Sequence, residues 1–251
     1  LQGHRGSVNC LAWSPLSDRI VSASDDCSLL VWKVQERRVL GSLQKHTAPV
    51  LSCLFSSSGL YIVSSSFDAS VVVWSADQFQ VHYTLLQHPG AVYCLALSES
   101  EETLLSGGSD GLFIIWDLRG ILPDAIQLTG HKAMVLSCAV SPLQPQLVSS
   151  SLDGTVRVWD ANVGSEAGRL NRTAFSSSGV ASSSTLALDF SPNGRYLISS
   201  GGDNLVWMWD VRQSAPARRF TGSSSSMLQC LMVSTGNEVL AGSTDGTFRV
   251  W

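Results

Sequence analysis

Six tryptophans recur along this 251-residue chain at nearly constant intervals, and each is preceded six residues earlier by an aspartate. The intervals between the tryptophans are 42, 42, 43, 50 and 42 residues. A histidine stands 28 residues before each of the first four, whereas Ala181 and Ser223 hold that position in the last two copies. This register indicates one structural unit copied six times. The repeated residues are Trp32, Trp74, Trp116, Trp159, Trp209 and Trp251; Asp26, Asp68, Asp110, Asp153, Asp203 and Asp245; and His4, His46, His88 and His131.

Each copy contains short runs of β-branched and aromatic residues separated by turn-forming residues, which predicts four short strands. In the fourth copy the first three strands are expected over 134–140, 146–151 and 155–159. The outermost strand is expected after the tryptophan, for example over 39–43 and 81–86 in the first two copies. The Ser- and Gly-rich stretch over 162–184, which lengthens one interval to 50 residues, is expected to be a surface loop.

An Asp-Gly dipeptide separates the second and third predicted strands in three copies, at Asp110-Gly111, Asp153-Gly154 and Asp245-Gly246. This dipeptide favours a two-residue type I′ turn, which needs positive φ at both central residues. Asp203-Asn204 is a milder version of the same signal. Asp26-Cys27 and Asp68-Ala69 depart from the pattern, so we expect more strained or different turns there.

The repeats resemble the WD-repeat family. Its Gly-His and Trp-Asp signatures are intact at Gly3-His4, Gly130-His131, Trp116-Asp117, Trp159-Asp160 and Trp209-Asp210. The resemblance implies an all-β fold, a β-propeller of four-stranded antiparallel blades with six repeats in one domain over 1–251. The repeats are expected at about 1–42, 43–84, 85–127, 128–177, 178–219 and 220–251, the last without its outer strand. Because relatives in this family usually have seven blades, we expect the chain to be part of a longer protein.

Composition argues against several classes of function. Sixteen Lys and Arg against twenty Asp and Glu, with a net charge of −4 and no long basic run, disfavour nucleic acid as a partner. No apolar stretch approaches the roughly 20 residues that span a bilayer. The six cysteines are scattered without metal-ligand spacing, which suggests free thiols in a reducing, intracellular compartment, cytoplasmic or nuclear. No phosphate-binding loop or dinucleotide fingerprint is present, so neither a cofactor nor a metal is expected.

A hydrolase triad is the main catalytic alternative, with Ser24, His4 and Asp26 or their counterparts Ser151, His131 and Asp153. A catalytic triad needs one oriented site, whereas these residues recur from copy to copy with losses such as Gly108 and Ala181. A match to G-x-S-x-G over 107–111 lacks the following helix that this motif requires. The family resemblance instead implies a structural hydrogen-bond network that includes the repeated Asp, His, Ser and Trp. His82, the one histidine out of register, is expected on an outer strand.

A second group of residues is expected to bind a partner. The resemblance places the residues that follow the Gly-His loop, and those that precede the turn aspartate, on one face. Leucines at 51 and 136 also fit a role in the core, because the strand alternates. Phe67 and Leu152 precede tight turns, so exposed apolar side chains there favour protein binding. The candidate partner-binding residues are Leu51, Phe67, Tyr93, Met134, Leu136 and Leu152.

The sequence Trp-Asp-x-Arg occurs twice and ends at Arg119 and Arg212. It resembles the box by which substrate receptors of cullin-RING ubiquitin ligases contact an adaptor, where the planar guanidinium would supply several donors. The interpretation we favour is a non-catalytic platform that assembles other proteins or peptides, with no membrane role and with effector domains outside this chain. The ligase receptor is the alternative.

Overall fold

The computed structural model describes residues 1–120, 122–171, 185–202, 205–213, 215–221, 228–233 and 238–251. Within them the chain forms 23 strands arranged in six sheets. Five sheets have four strands and the last has three. The predicted all-β class with antiparallel blades is therefore confirmed, and each sheet is called a blade below.

The first blade contains β1 (Val8–Trp13), β2 (Arg19–Ser24), β3 (Ser28–Lys33) and β4 (Arg38–Gln44). The second contains β5 (Val50–Phe55), β6 (Tyr61–Ser66), β7 (Val71–Ser75) and β8 (Val81–Leu85). The third contains β9 (Val92–Leu97), β10 (Thr103–Gly108), β11 (Phe113–Asp117) and β12 (Asp124–Leu128).

The fourth blade contains β13 (Val135–Val140), β14 (Gln146–Ser151), β15 (Thr155–Asp160) and β16 (Ser165–Asn171). The fifth contains β17 (Thr185–Phe190), β18 (Tyr196–Gly201), β19 (Leu205–Asp210) and β20 (Ala215–Thr221). The sixth contains β21 (Leu228–Val233), β22 (Val239–Ser243) and β23 (Phe248–Val250). In every blade the strands pair in chain order.

The prediction of a loop over 162–184 is wrong for the first part of this stretch, because β16 covers Ser165–Asn171. Glu166, Gly168 and Leu170 pair with residues of β15, so this stretch is the outer strand of the fourth blade. Residues 172–184 lie outside the described part of the chain.

The middle strands of a blade are buried, whereas the outer strand is partly exposed. In β7 the run Val71–Trp74 is entirely buried, and in β8 only Leu85 is. A strand covered on both faces carries a continuous apolar run, as β7 does, because both of its faces meet other side chains. This packing puts Trp32, Trp74, Trp116, Trp159 and Trp209 on the third strand of a four-stranded blade, whereas Trp251 follows β23.

The strands fall into two compact units. The first unit comprises residues 1–110 and 114–125, and its core joins the first two blades through residues that include Val21, Leu29, Ile62 and Trp74. The second unit comprises residues 111–113 and 126–251, and its main core includes Val156, Phe190, Leu197 and Trp209. The single domain over 1–251 and its extension into a longer protein stay predictions.

Candidate functional site

In the first four blades, the repeated histidines and aspartates meet at the edge where the second strand turns into the third. We call this the turn edge. In the second blade, His46 Nδ1 lies 3.0 Å from Asp68 Oδ2, and His46 Nε2 lies 2.8 Å from Ser64 Oγ. Trp74 Nε1 donates to the same Ser64 Oγ at 2.8 Å. One serine hydroxyl therefore connects the indole of the third strand to the histidine of the preceding loop.

The same arrangement recurs in the first four blades with little variation. The His–Asp distances are 2.9, 3.0, 2.9 and 3.1 Å, and the His–Ser distances are 2.7, 2.8, 2.8 and 2.8 Å. Trp209 keeps its bond to Ser199 at 2.9 Å. In these four blades the serines are Ser22, Ser64, Ser106 and Ser149, and the histidines are His4, His46, His88 and His131. The aspartates are Asp26, Asp68, Asp110 and Asp153, and the tryptophans are Trp32, Trp74, Trp116 and Trp159.

The serine named from the sequence is the wrong one. Ser24 and Ser151 do not bond the histidines: their hydroxyls accept the backbone N–H of Asp26 and Asp153 and so close the turn. The histidine partners lie two residues earlier, at Ser22 and Ser149. Ser22 and Ser24 are two residues apart on β2 and therefore share a face of the strand. Their position along the strand distinguishes them, because Ser22 Oγ lies within hydrogen-bonding distance of both the Trp32 indole and the His4 imidazole.

The last two copies are only partly described. Asp203, Ala181 and Ser223 lie outside the described residues. Asp245 Oδ1 accepts the backbone N–H of Thr247 at 2.9 Å, and Trp251 lies against Phe220 with ring centroids 6.0 Å apart. Ala241, which is buried, stands in the sixth blade where the other blades have the hydrogen-bonding serine.

For a neutral imidazole, the hydrogen-bond chain has one consistent proton assignment. An indole N–H can only donate, so the serine oxygen accepts from Trp74 and its own proton goes to His46 Nε2. His46 Nδ1–H then donates to Asp68. Burial lowers the pKa of His46 and of His131, against the opposing effect of the neighbouring aspartates. The lowered pKa favours the neutral imidazole that this assignment needs.

The aspartates are held as carboxylates by several donors. Burial alone would raise the pKa of Asp68, but bonds from Ser70 and from the backbone N–H of Thr47 outweigh it and lower the pKa. Asp26 and Asp153 have lowered pKa values for the same reason, with Ser28 and Thr155 as the hydroxyl donors. The sequence signal for this donor, which was not among the predicted site residues, is a Ser or Thr two residues after the aspartate.

These pKa shifts predict that acid destabilises the fold in two steps. Folded His46 and His131 take up protons less readily than an unfolded histidine of pKa about 6.5, so stability is lost as pH falls below that value. The depressed aspartate pKa values add a second loss below about pH 4. Differential scanning calorimetry across this range measures it, and the Asp68→Asn variant should show a smaller second step. A melting temperature that rises between about pH 7 and 5 would contradict the assignment.

The turn itself differs from the prediction. In the fourth blade, Gly154 N–H donates to Ser151 C=O at 3.1 Å, and φ of Gly154 is +82°. None of the described turn aspartates has a positive φ, so a type I′ turn is wrong. One left-handed residue after a hydrogen-bonded turn is typical of a three-residue hairpin loop. Cys27 and Ala69 adopt φ of +66° and +69°. They therefore have the left-handed backbone conformation that Gly154 has in the fourth blade, and their side chains make this conformation less favourable than it is for glycine.

A backbone bond ties the turn to the loop before the inner strand. Phe67 N–H donates to Pro49 C=O at 2.9 Å, and Leu152 N–H donates to Met134 C=O at 2.9 Å. Equivalent bonds join Asp25 to Ser7 and Ser109 to Ala91. The residue before each aspartate is therefore fixed against the loop, and its side chain stands at the turn edge.

The inner strand has an extra residue at the same position of each blade. The pairing of β5 with β6 passes from Val50 to Ser52, which leaves Leu51 as the extra residue of a β-bulge. Tyr93 and Leu136 occupy the bulges of the third and fourth blades. A bulge changes the direction of a side chain, so that it no longer follows the regular alternation between the two faces of the strand. These three predicted binding residues share a bulge that depends on strand register and is not visible in the sequence.

The six candidate partner-binding residues divide between the two units. Leu51, Phe67 and Tyr93 belong to the first unit and Met134, Leu136 and Leu152 to the second. Phe67 is 57% exposed and Leu152 is 42% exposed, while the other four are half-buried. Each unit thus presents one exposed apolar side chain on a fixed turn, beside half-buried neighbours.

The arginines of the two Trp-Asp-x-Arg sequences make different contacts with the aspartate of their own sequence. The Arg119 guanidinium folds back on its own Asp117, with Nε 2.9 Å from Oδ1, and this pairing lowers the pKa of Asp117 to about 2. In the other copy, Arg195 binds the Asp210 carboxylate at 3.2 Å, and Arg212 contacts it through its backbone N–H. The side chains of Arg119 and Arg212 therefore do not form one repeated feature.

The model of the family described as "WD domain, G-beta repeat" matches residues 1–33, 37–75, 79–117, 125–160, 173–210 and 214–251. The chain belongs to the WD40 repeat family. Its blades are therefore WD40 blades of the β-propeller type, and the repeated Trp–Ser–His–Asp chain lies at the turn edge of the first four.

Several curated relatives carry the same repeats. The WD40 chain is 28% identical to the guanine nucleotide-binding protein subunit beta of Solanum tuberosum, 27% to the subunit beta-1 of Nicotiana tabacum, and 28% to the subunit beta of Arabidopsis thaliana. Each alignment covers 100% of this chain and 57% of the relative. The chain therefore spans little more than half the length of these relatives. In the described part, no helix is long and apolar enough to cross a membrane.

Proposed function

We propose that this WD40 chain is a non-catalytic platform that binds other proteins at the turn edge of its blades. The observation that carries the proposal is the pair of exposed side chains, Phe67 and Leu152, each on a turn fixed by a backbone hydrogen bond. Exposed apolar side chains on a rigid support lose little conformational entropy on binding, so they are suited to be binding hot spots.

The Ser–His–Asp geometry of the blades does not favour catalysis. Ser22 Oγ lies 2.7 Å from His4 Nε2, and His4 Nδ1 lies 2.9 Å from Asp26, which are the contacts that a hydrolase uses. The serines are nevertheless buried, and each hydroxyl already accepts an indole N–H. A substrate carbonyl needs to reach the nucleophile, so the repeated chain supports a structural role.

The names of the relatives support an assembly role, because each is one subunit of a guanine nucleotide-binding protein. We propose that this chain likewise acts as a subunit of a multiprotein complex. The other subunits of a guanine nucleotide-binding protein are therefore the first defined partners to test.

The proposal predicts that Phe67→Asp and Leu152→Asp each weaken partner binding by about tenfold or more. A charged side chain at an apolar contact must be desolvated, and the exposed positions predict little effect on folding. Surface plasmon resonance with the purified candidate subunits measures the change.

Matched controls are available in the first and fourth blades. Leu16 and Leu143 are also exposed leucines, but they lie in the loops between the first and second strands. Those loops are at the opposite end of their blades from the turn edge. Leu16→Asp and Leu143→Asp should bind normally, and an equal loss in these variants would argue against the turn edge.

The ubiquitin-ligase alternative has no separate support at the two arginines, since Arg119 is paired within its own loop. It stays a prediction. Its test is the capture of a cullin adaptor by the wild-type chain and by an Arg119→Ala, Arg212→Ala double variant.

A further inference from the structure

A small cavity lies away from the turn edge, between the second and third blades of the first unit. It has a volume of about 110 Å³, and three of its walls are the rings of Tyr61, His82 and Tyr83. Glu101 is the acidic residue of the lining, and the remaining lining residues are aliphatic. None of the functions discussed above uses these residues.

The rings form a continuous aromatic surface. The ring centroids of Tyr61 and His82 are 5.4 Å apart, and those of His82 and Tyr83 are 4.2 Å apart. The His82–Tyr83 contact is edge to face, with an interplanar angle of 61°, so the two rings turn in different directions. An aromatic face carries negative potential and attracts a cation within about 6 Å.

Glu101 keeps its negative charge although its oxygens are hydrogen-bonded. Its partners are the hydroxyls of Ser57 and Ser58 and the backbone N–H of Ser58, all of which are neutral donors. Burial alone would raise the pKa of Glu101, but these bonds outweigh it and lower the pKa. The bonds also fix the orientation of the carboxylate, so the cavity has an anchored anion beside its aromatic walls.

We propose that this cavity binds a methylated ammonium group. An unmethylated ammonium is compact and strongly hydrated, and aliphatic and aromatic walls replace few of its bonds to water. A methylated ammonium is weakly hydrated, and aromatic faces together with a carboxylate match its spread positive charge. The cavity volume of about 110 Å³ is below the roughly 150 Å³ of a cavity that admits benzene, so it has room for one small head group at most.

This chemistry occurs in free choline and its lipids and in methylated lysines of proteins, and the experiment separates these sources. The intact chain is titrated by isothermal calorimetry with choline and with 3,3-dimethylbutan-1-ol, its uncharged isostere. A second arm compares a peptide containing trimethyl-lysine with the same peptide containing lysine. Saturable binding of choline or of the methylated peptide is expected, and the neutral or unmethylated counterpart should bind about tenfold more weakly.

Three variants test the contribution of the cavity residues. Glu101→Gln removes the charge while it keeps the shape, and Tyr61→Leu removes one ring, so each should weaken binding about five- to tenfold. Tyr61→Phe retains the ring face and should bind as the wild type does. Glu102→Gln removes the neighbouring exposed charge and serves as the matched control.

The proposal is independent of the partner-binding function, so the two can fail separately. Equal affinity for choline and its neutral isostere would show a simple apolar cavity and overturn it. An absence of saturable binding in both arms would overturn it as well. Unchanged affinity in Glu101→Gln, with circular dichroism showing an intact fold, would also contradict it.

Discussion

Replacement of Trp74 with alanine is expected to lower the free energy of unfolding by about 3–5 kcal/mol. The indole is 1% exposed and belongs to the core that joins the first two blades. Its truncation leaves a cavity in that core, and Ser64 Oγ loses the N–H that it accepts at 2.8 Å. Urea unfolding followed by circular dichroism measures the change.

Trp13 provides a control of the same residue type. It lies on β1 in the same unit but is 55% exposed, so Trp13→Ala should change the free energy of unfolding by no more than about 0.5 kcal/mol. The loss of stability in Trp74→Phe should fall between the losses in these two variants. Phenylalanine keeps most of the apolar volume of the indole but cannot donate the hydrogen bond. Equal losses in Trp74→Ala and Trp13→Ala would show that the repeated tryptophan has no special role in the core.

The Asp68→Ala variant is expected to lose about 2–4 kcal/mol of stability. The carboxylate accepts the backbone N–H groups of Thr47 and Ser70 at 2.9 Å, and it also accepts from the Ser70 hydroxyl and from His46. Without it, several donors in and around the turn lose their partner. Thermal and urea unfolding of the purified variant give the value.

Asp77 is the matched control for this change. Its side chain is 65% exposed and forms one ion pair, with Arg19. An exposed pair contributes only about 0–1 kcal/mol, so Asp77→Ala should remain close to the wild type. A His46→Ala, Asp68→Ala double variant should lose less than the sum of the two single losses, since both residues act in one network. Strict additivity would contradict that network.

The repeat spacing was sufficient to predict the blades because each copy repeats its own local signals. In the fourth copy, the strands expected over 146–151 and 155–159 correspond to β14 and β15. The outer strands β4 and β8 also lie where the sequence placed them. Alternation and turn residues are local properties of the chain, so a single sequence contains them.

The details of the turn edge could not be predicted in the same way. Which serine meets the histidine depends on the pairing of two strands, and Ser22 and Ser24 are indistinguishable by residue type. The turn type was misjudged for a similar reason, since Asp-Gly occurs in two-residue loops and also in longer ones. Only the backbone showed that the residue after the aspartate alone is left-handed.

The candidate partner-binding residues were chosen from sequence position, and the structure explains why those positions are unusual. Phe67 and Leu152 stand on fixed turns, whereas Leu51, Tyr93 and Leu136 occupy bulges. A bulge depends on the register of two strands and is not visible in one of them. Whether these residues bind a partner remains the proposal to be tested.

The bulge has a consequence for how such a chain can diversify. The extra residue takes no place in the ladder, so its side chain can change while every backbone pair of the blade stays as it is. Asparagine, leucine and tyrosine already occupy this place, at Asn9, Leu51 and Tyr93. The bulge therefore separates a variable side-chain position from the positions that pair the strands, so a substitution there leaves the backbone pairing of the blade unchanged.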